Sequence, residues 1–281
     1  MWPGGKDGAG IFQRLINQIP PHDVFVSAFL GDCAIMRRKL PAKVSIGVDI
    51  DRSNVHRWLA EHPLPGLQLY CACGIGWLRH RFELDRLFPD SLQVPIEDHS
   101  RSFNAAKSSV QNRPRVFVYL DPPYLAETRR SRRKLYRSEL TQADHTALLE
   151  TATSLPCPVM ISHYPHRLYE HVLGNWRTFS FDSVTRSGHM AREQVWCNYP
   201  EPDELHDARY VGGDKRERER VRRRVRNWVA GLAKMQQAER QAVLDAIGDR
   251  WLAKPCRTEN LPPTPTIASS PAGLGWVSSR C

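Results

Sequence analysis

The chain has 281 residues, 41% of them hydrophobic and 25% charged, enough for one large domain or one domain with a small appendage. A formal net charge of +10 draws it towards a polyanion: DNA, RNA or an anionic membrane surface. No apolar run approaches the length of a membrane span, and the N-terminus does not read as a signal peptide. Seven scattered cysteines do not spell a disulfide framework, so a reduced, cytoplasmic compartment is expected.

The chain opens on Trp2-Pro3-Gly4-Gly5-Lys6. Glycines there let the backbone pass close to a ligand, and Lys6 is placed to reach a ligand carboxylate. Helical periodicity runs from Ile11 to Ile19, then Val24-Phe25-Val26-Ser27 reads as a strand. A turn holding Gly31 and a helical stretch from Ala34 to Leu40 follow, the order in which a backbone approaches a nucleotide-like ligand. The second strand, Val44 to Val48, ends at Asp49-Ile50-Asp51. A carboxylate here, roughly twenty residues past the glycine turn, can accept hydrogen bonds from two ribose hydroxyls. It can equally cap the next helix. Asp49 is read as the ligand and Asp51 as the cap. The third strand, Leu67 to Tyr70, runs into Cys71-Ala72-Cys73-Gly74-Ile75-Gly76-Trp77, another turn beside the expected pocket. Cys71 and Cys73 are spaced more tightly than a usual zinc pair, and no metal is expected.

The apolar run Val116 to Leu120 reads as a buried strand, and Asp121-Pro122-Pro123-Tyr124 follows it directly. Two prolines stop the strand and fix a rigid turn. They present an acid and an aromatic ring at the carboxyl edge of a sheet, where open α/β folds bind ligands. Arg129, Arg130, Arg132, Arg133 and Lys134 come next. They read as a phosphate clamp or as a bare charged loop. Thr141 with Asp144 forms a capping box opening a helix to Ser154. Pro158 to Ser162 is a fifth strand, and His163 and His166 beside it read as polar pocket or surface residues rather than metal ligands. Trp176 to Phe181 and Gln194 to Tyr199 are the sixth and seventh strands. The polar stretch from Asp182 to Glu193 between them is too short for a crossover helix, so these two form an antiparallel hairpin. Its Arg186, Ser187, His189 and Arg192 are a second candidate nucleic-acid contact.

Strands alternating with helices predict an α/β fold, a mostly parallel, doubly wound sheet of seven strands with an antiparallel terminal hairpin. After Tyr210 the composition changes. Residues 215 to 226 are strongly basic, and Trp228, Val229, Leu232, Met235, Val243, Leu244 and Ile247 recur at helical spacing. One or two amphipathic helices are expected, either solvated and braced by Arg–Glu pairs or in contact with phosphates. From Lys254 the chain is rich in Pro, Ser and Gly and is expected to be disordered. The organisation expected is a catalytic domain over 1–208 with a candidate target-recognition insertion at 79–115, a basic helical segment at 209–253 and a tail at 254–281.

An acid, exposed proline carbonyls and a stacking ring together suit the capture of a flat, amino-bearing ring while its nitrogen reacts. The Asp121 to Tyr124 segment resembles the Asp-Pro-Pro-Tyr signature of amino-group DNA methyltransferases. The opening Pro3-Gly4-Gly5-Lys6, the Phe29-Leu30-Gly31 turn and Gly47-Val48-Asp49-Ile50-Asp51 are also similar to the Dam-type DNA adenine-N6 methyltransferase family, in particular its compact phage and prophage members. So are Tyr136 to Leu140 with Asp144-His145, and Arg192 to Tyr199. The resemblance spans about residues 2 to 200. It implies a Rossmann-like methyltransferase fold and S-adenosylmethionine as cofactor, held by Trp2, Gly5, Lys6, Phe29, Gly31, Asp49, Cys73, Gly74 and Asp121. It also implies double-stranded DNA as partner, contacted by Arg129, Arg130, Arg132, Arg133, Lys134 and Tyr136. The chain departs from the family pattern where Ser27 and Ala28 replace Glu-Pro, where Cys33 replaces the second glycine, and where Cys73 replaces an aspartate.

The chemistry expected needs no metal and no covalent nucleophile. Asp121 and the Pro122 carbonyl accept the two N–H bonds of adenine's exocyclic amine, localising its lone pair towards the methyl donor. Tyr124 stacks on the base, which must be flipped out of the duplex. Asp121 must be ionised, and the donor's sulfonium is expected to keep it so. The expected protein is a cytoplasmic adenine-N6 methyltransferase of a bacterial or phage-infected cell, more simply a monomer than an oligomer. Cytosine-N4 or RNA adenine methylation, or a DNA-binding relative with weak catalysis, stay open as alternatives.

Overall fold

The computed structural model describes residues 6 to 252 apart from position 9 and the segments 88–113, 130–134 and 185–187. The chain divides into two units, residues 1–223 and 224–281. The first is built on one seven-stranded sheet in the order β3-β2-β1-β4-β5-β7-β6. Its strands are β1 Val24–Ser27, β2 Val44–Asp49, β3 Leu67–Cys71, β4 Val116–Leu120, β5 Val159–His163, β6 Arg177–Val184 and β7 Met190–Cys197. The first five are parallel, and β7 runs antiparallel to both β5 and β6. The expected fold class is the one observed.

The strand sequences explain the two-sided burial. Val24, Val26, Val118, Leu120, Val159 and Ile161 point to one face and pack with residues of α4 (Gly74–Leu87), α5 (Gln142–Ser154) and α6 (Arg167–Val172). Phe25, Phe117, Tyr119 and Met160 alternate to the other face, against α1 (Ile11–Ile16), α2 (Ala34–Arg38) and Trp58 of α3 (Arg52–Glu61). Both faces are covered, so the strands read as continuous apolar runs. Thr141 caps α5, with its hydroxyl accepting the Asp144 N–H and the Asp144 carboxylate accepting the Thr141 N–H, as the sequence pattern predicts. The order reverses between β1 and β4, which places the switch point at the carboxyl ends of those two strands.

Three expectations change. Helix α1 ends at Ile16 rather than Ile19. The β6–β7 hairpin is longer than the hydrophobic pattern suggests: β6 continues to Val184 and β7 starts at Met190, so most of the polar stretch is ladder rather than loop. Alternating polar residues on a half-solvated ribbon hide these strand ends. The first unit also extends past residue 208, where Tyr210 meets Phe12 edge-on and its hydroxyl donates to the Arg38 carbonyl. The second unit holds the end of α7 (Lys215–Lys234) and α8 (Gln237–Ile247), where the periodicity predicts one or two helices. Within it Trp228, Val229 and Leu244 remain exposed. The tail from 254 and most of the 79–115 insertion lie outside the described residues; Arg79 sits on α4 and bonds Thr151 of α5.

Candidate active site

The turn after β1 is tied to the end of β2. Gly31 has φ +46, in the left-handed region that glycine enters without strain. Its N–H donates to Asp49 Oδ2 at 2.9 Å, and its carbonyl accepts from Asn54 Nδ2 at 2.8 Å and Trp58 Nε1 at 2.7 Å. Asn54 Nδ2 also donates to Asp49 Oδ2 at 2.6 Å, and the Asp51 N–H donates to Asp49 Oδ1 at 2.8 Å. Asp49 is therefore fixed by three donors while still lining the cleft. Asp51 caps α3 through the Ser53 N–H at 2.9 Å, the role the sequence assigns to it, and pairs with Arg137 at 3.0 Å. Asn54 has no motif to mark it.

One departure from the family pattern, Cys33, acquires a structural reason. Cys33 is the N-cap of α2, its Sγ accepting the Met36 N–H at 3.5 Å. Gly74 packs the third turn onto the first: a Cβ there would lie 2.0 Å from the Ala28 carbonyl oxygen. Cys73 just before it is exposed at the cleft, as is part of Phe29.

The Asp121 turn leaves the centre of the sheet at Leu120. Lys6 Nζ lies 2.9 Å from both Asp121 oxygens, and Ser162 Oγ donates to Oδ1 at 2.9 Å. Lys6 also pairs with Glu193 of β7 at 3.2 Å, and the Tyr124 hydroxyl donates to Glu193 at 2.5 Å. The sequence suggests that Lys6 reaches a ligand carboxylate; the structure sets it, only 3% exposed, between two carboxylates of the protein itself. Burial works against its charge, but Asp121 and Glu193 overcome this and raise its pKa. Burial raises the Asp121 pKa; Lys6 opposes this and Glu193 adds to it, leaving Asp121 above its ordinary value. Glu193 is also desolvated, yet Lys6 and hydrogen bonds from Ser183 and Tyr124 hold it below its ordinary value. The same lysine thus offsets desolvation fully at Glu193 and only in part at Asp121. The cation that favours its ionised form is Lys6, supplied by the chain itself.

His163 fixes the far side of the turn. Its Nε2 accepts the Leu125 N–H at 2.9 Å and its Nδ1 donates to the Tyr164 carbonyl at 2.7 Å, which defines the neutral tautomer. Burial lowers its pKa to about 3, and its ring stacks on Tyr169 and touches Tyr124. It is fully buried and braces the turn, where the sequence suggests a pocket or surface residue.

The segment beyond the turn corrects the phosphate-clamp reading at one position. Arg129 is buried, its guanidinium bidentate on Glu139 at 3.1 and 2.5 Å. Glu139 also accepts the N–H groups of Leu135 and Tyr136 at 2.8 and 3.0 Å. Arg129 therefore shapes this segment from inside and does not face a phosphate. Tyr136 lies with its ring 5.5 Å from that guanidinium, lines the cleft, and has a hydroxyl pKa pushed up to about 12 by burial. Arg130, Arg132, Arg133 and Lys134, with Trp2 and Gly5, lie outside the described residues. Of the hairpin candidates, Arg192 is exposed and donates to Ser180 Oγ at 2.7 and 3.1 Å.

Residues 83–182 match the model of the family described as D12 class N6 adenine-specific DNA methyltransferase. The match spans about a third of the chain, which is a methyltransferase. The matched stretch holds β4, the Asp121 turn, α5 and β5, and stops short of Lys6, Gly31, Asp49 and Glu193. S-adenosylmethionine is the cofactor of the methyltransferase. No curated protein sequence matches the chain. Solved structures that align with the chain include an rRNA methylase from Streptococcus thermophilus, at 10% identity over 67% of this chain and 92% of that one, with a TM-score of 0.36. A dimethyladenosine transferase from Plasmodium falciparum is 11% identical over 68% of this chain and 61% of that one, with a TM-score of 0.36. Magnesium protoporphyrin IX methyltransferase from Synechocystis, solved with bound SAM, is 11% identical over 68% and 76%, with a TM-score of 0.34. Among the described residues of the methyltransferase no cluster of His, Cys, Asp or Glu is placed to hold a metal ion, and no helix is long and apolar enough to cross a membrane.

Proposed function

We propose that the methyltransferase acts on the exocyclic N6 amine of a flipped adenine in DNA. The observation that carries this reading is the position of Asp121: at the switch point of the sheet, at the mouth of the cleft that Gly31 and Asp49 line, with an ammonium and a hydroxyl fixing its carboxylate. The cleft suits the cofactor. Asp49 Oδ1 carries one N–H and has acceptor capacity left for ribose hydroxyls, and the glycine turn at 31 and the close approach at Gly74 leave backbone open to a ligand. Phe29 and Cys73 complete that wall. When bound, the cofactor supplies an electrophilic methyl group.

The chain's own residues do the rest. Among the described residues, Asp121 Oδ1 accepts from Lys6 and Ser162, whereas Oδ2 accepts from Lys6. Each carboxylate oxygen has two lone pairs, so Oδ2 is the oxygen left to accept an amine N–H. The Pro122 carbonyl takes the second N–H, and the amine lone pair is held facing away from both. As the nitrogen gains its methyl group it becomes cationic, and one N–H proton passes to Asp121 Oδ2. The raised pKa of Asp121 favours that acceptance, and Glu193 stays ionised to balance Lys6. Tyr124, anchored through Glu193, offers its ring to the base. The net charge of +10 favours a nucleic acid as substrate carrier.

The test is nucleoside analysis of unmethylated DNA and of RNA after incubation with purified protein and labelled S-adenosylmethionine. Label in N6-methyladenine from DNA is the expected result. Label in N4-methylcytosine, or in RNA alone, would replace the proposal with one of its relatives.

A further inference from the structure

The β6–β7 hairpin reaches past the rest of the sheet at the edge that carries the catalytic turn. The β5–β7 pairing ends at His163 and Gln194, but β7 continues through Glu193, Arg192 and Ala191 to Met190, paired with β6. Four further residue pairs carry the ribbon roughly 13 Å beyond the end of β5. Its base is locked to the site, because Glu193 bonds Lys6 and Tyr124, and Ser183 on the same face is buried. The opposite face ends differently. Val184 and Met190 are directly paired across the strands, and each is 66% exposed.

We infer that the Val184–Met190 pair is a wedge that enters the base stack of a DNA duplex and occupies the space a flipped adenine leaves. The inference rests on the function proposed above. Two exposed apolar side chains are far too little surface for a stable protein interface, which needs about 1,000 Å². They do match a gap between base steps, which proteins fill with apolar side chains when they unstack a duplex. The surroundings suit a polyanion: Arg192 is exposed nearby on the same strand, and the chain as a whole carries +10. The ribbon's length sets the wedge about three residues, roughly 10 Å, past Glu193, so a base reaching Asp121 leaves its gap near the tip.

The wedge matters only where a stack must be opened, so its loss discriminates duplex from single strand. The experiment compares initial rates of methyl transfer to native and heat-denatured unmethylated DNA for the parent, for Val184→Ser with Met190→Ser, and for Val184→Leu with Met190→Leu. The serine variant is expected to lose about tenfold on native DNA and to stay within about twofold on denatured DNA. The leucine variant keeps the apolar tip and is expected to match the parent on both. Equal losses on both substrates, or no loss on native DNA, would overturn the wedge while leaving the proposed function standing. A parent that labels no adenine in either form removes the proposed function, and the wedge with it.

Discussion

Two turns meet at the carboxyl edge of the sheet, and they are held by different means. The Gly31 turn is fixed to Asp49 by backbone N–H groups and an uncharged amide, all from neighbouring elements within 27 positions. The Asp121 turn is held by ionisable side chains from far away in the chain: Lys6, 115 positions before it, and Glu193, bonded to Tyr124 from 69 positions beyond. Neutral donors around a single carboxylate keep their strength across the pH range of a cell. Three charged groups in contact do not, since removing or protonating one changes the pKa of the others. The Gly31 side, proposed to hold the cofactor, is thus set by local structure, and the Asp121 side, proposed to be catalytic, by tertiary assembly and charge balance.

The largest expected effect is on the catalytic side. Asp121→Asn keeps the size of the side chain but removes the charge and the proton acceptor. Methyl transfer should fall by at least about 10²–10³, the usual cost of losing one well-placed electrostatic partner of a transition state. Labelled-methyl assays measure this. Activity within a few-fold of the parent would move the catalytic role elsewhere.

Lys6 and Glu193 sharpen the contrast because they push Asp121 in opposite directions. The working form of Asp121 is ionised, so activity falls as pH drops through its pKa. Lys6→Met removes the cation that opposes protonation, which raises that pKa further and moves the acid limb of the pH–rate profile to higher pH. Glu193→Gln removes a like charge, which lowers the pKa and moves the limb to lower pH. Profiles of kcat/KM for the three proteins test the pair of signs. Limbs that move together, or not at all, would mean that the three charges are not coupled as the distances indicate. Both variants should retain cofactor affinity to within about threefold, since neither touches the Gly31 turn.

What is legible in the sequence follows the same division. The strand-helix alternation, the Thr141 capping box, Asp51 as a cap and the Asp121 turn all depend on residues close together in the chain, and sequence spacing is enough to find them. The Lys6–Asp121–Glu193–Tyr124 network depends on contacts across most of the domain, and no spacing rule brings those positions together. Lys6 stands out for its glycine neighbours, but those neighbours say nothing of its protein partners, Asp121 and Glu193. Arg129 sits in a run of like charges that reads as exposed. Only the fold reveals that Glu139, ten positions on, turns it inward. Glu193 is hidden because a lone acid in an alternating polar stretch looks like a solvated loop residue until the hairpin register points it at the site.

On the cofactor side the effects should be smaller and should appear in binding. Asp49→Ala removes a charged acceptor and the anchor of the glycine turn. Charge-assisted hydrogen bonds at about 1.5–3 kcal/mol each imply a loss of tenfold or more in S-adenosylmethionine affinity by calorimetry. Unchanged affinity would pass the ribose role to another group.

Asn54→Ala should give the smallest effect, and it is the sharpest test of whether the Gly31 turn is held redundantly. The Asn54 amide donates to both Gly31 O and Asp49 Oδ2, while its own oxygen accepts from Arg57 at 2.7 Å. Without it, Gly31 O still accepts from Trp58, and Asp49 still accepts from the Gly31 and Asp51 N–H groups. No buried acceptor of the turn is left bare, so the loss is that of the amide's own bonds, about 1–2 kcal/mol. In a domain of this size that lowers Tm by a few degrees. Cofactor affinity should fall only severalfold, because Asp49 keeps two of its three donors and hence its orientation. Calorimetry beside thermal melts separates the two quantities. If Asn54→Ala weakened binding as much as Asp49→Ala does, the turn would hang on a single side chain, and the contrast with the charge-held catalytic side would collapse.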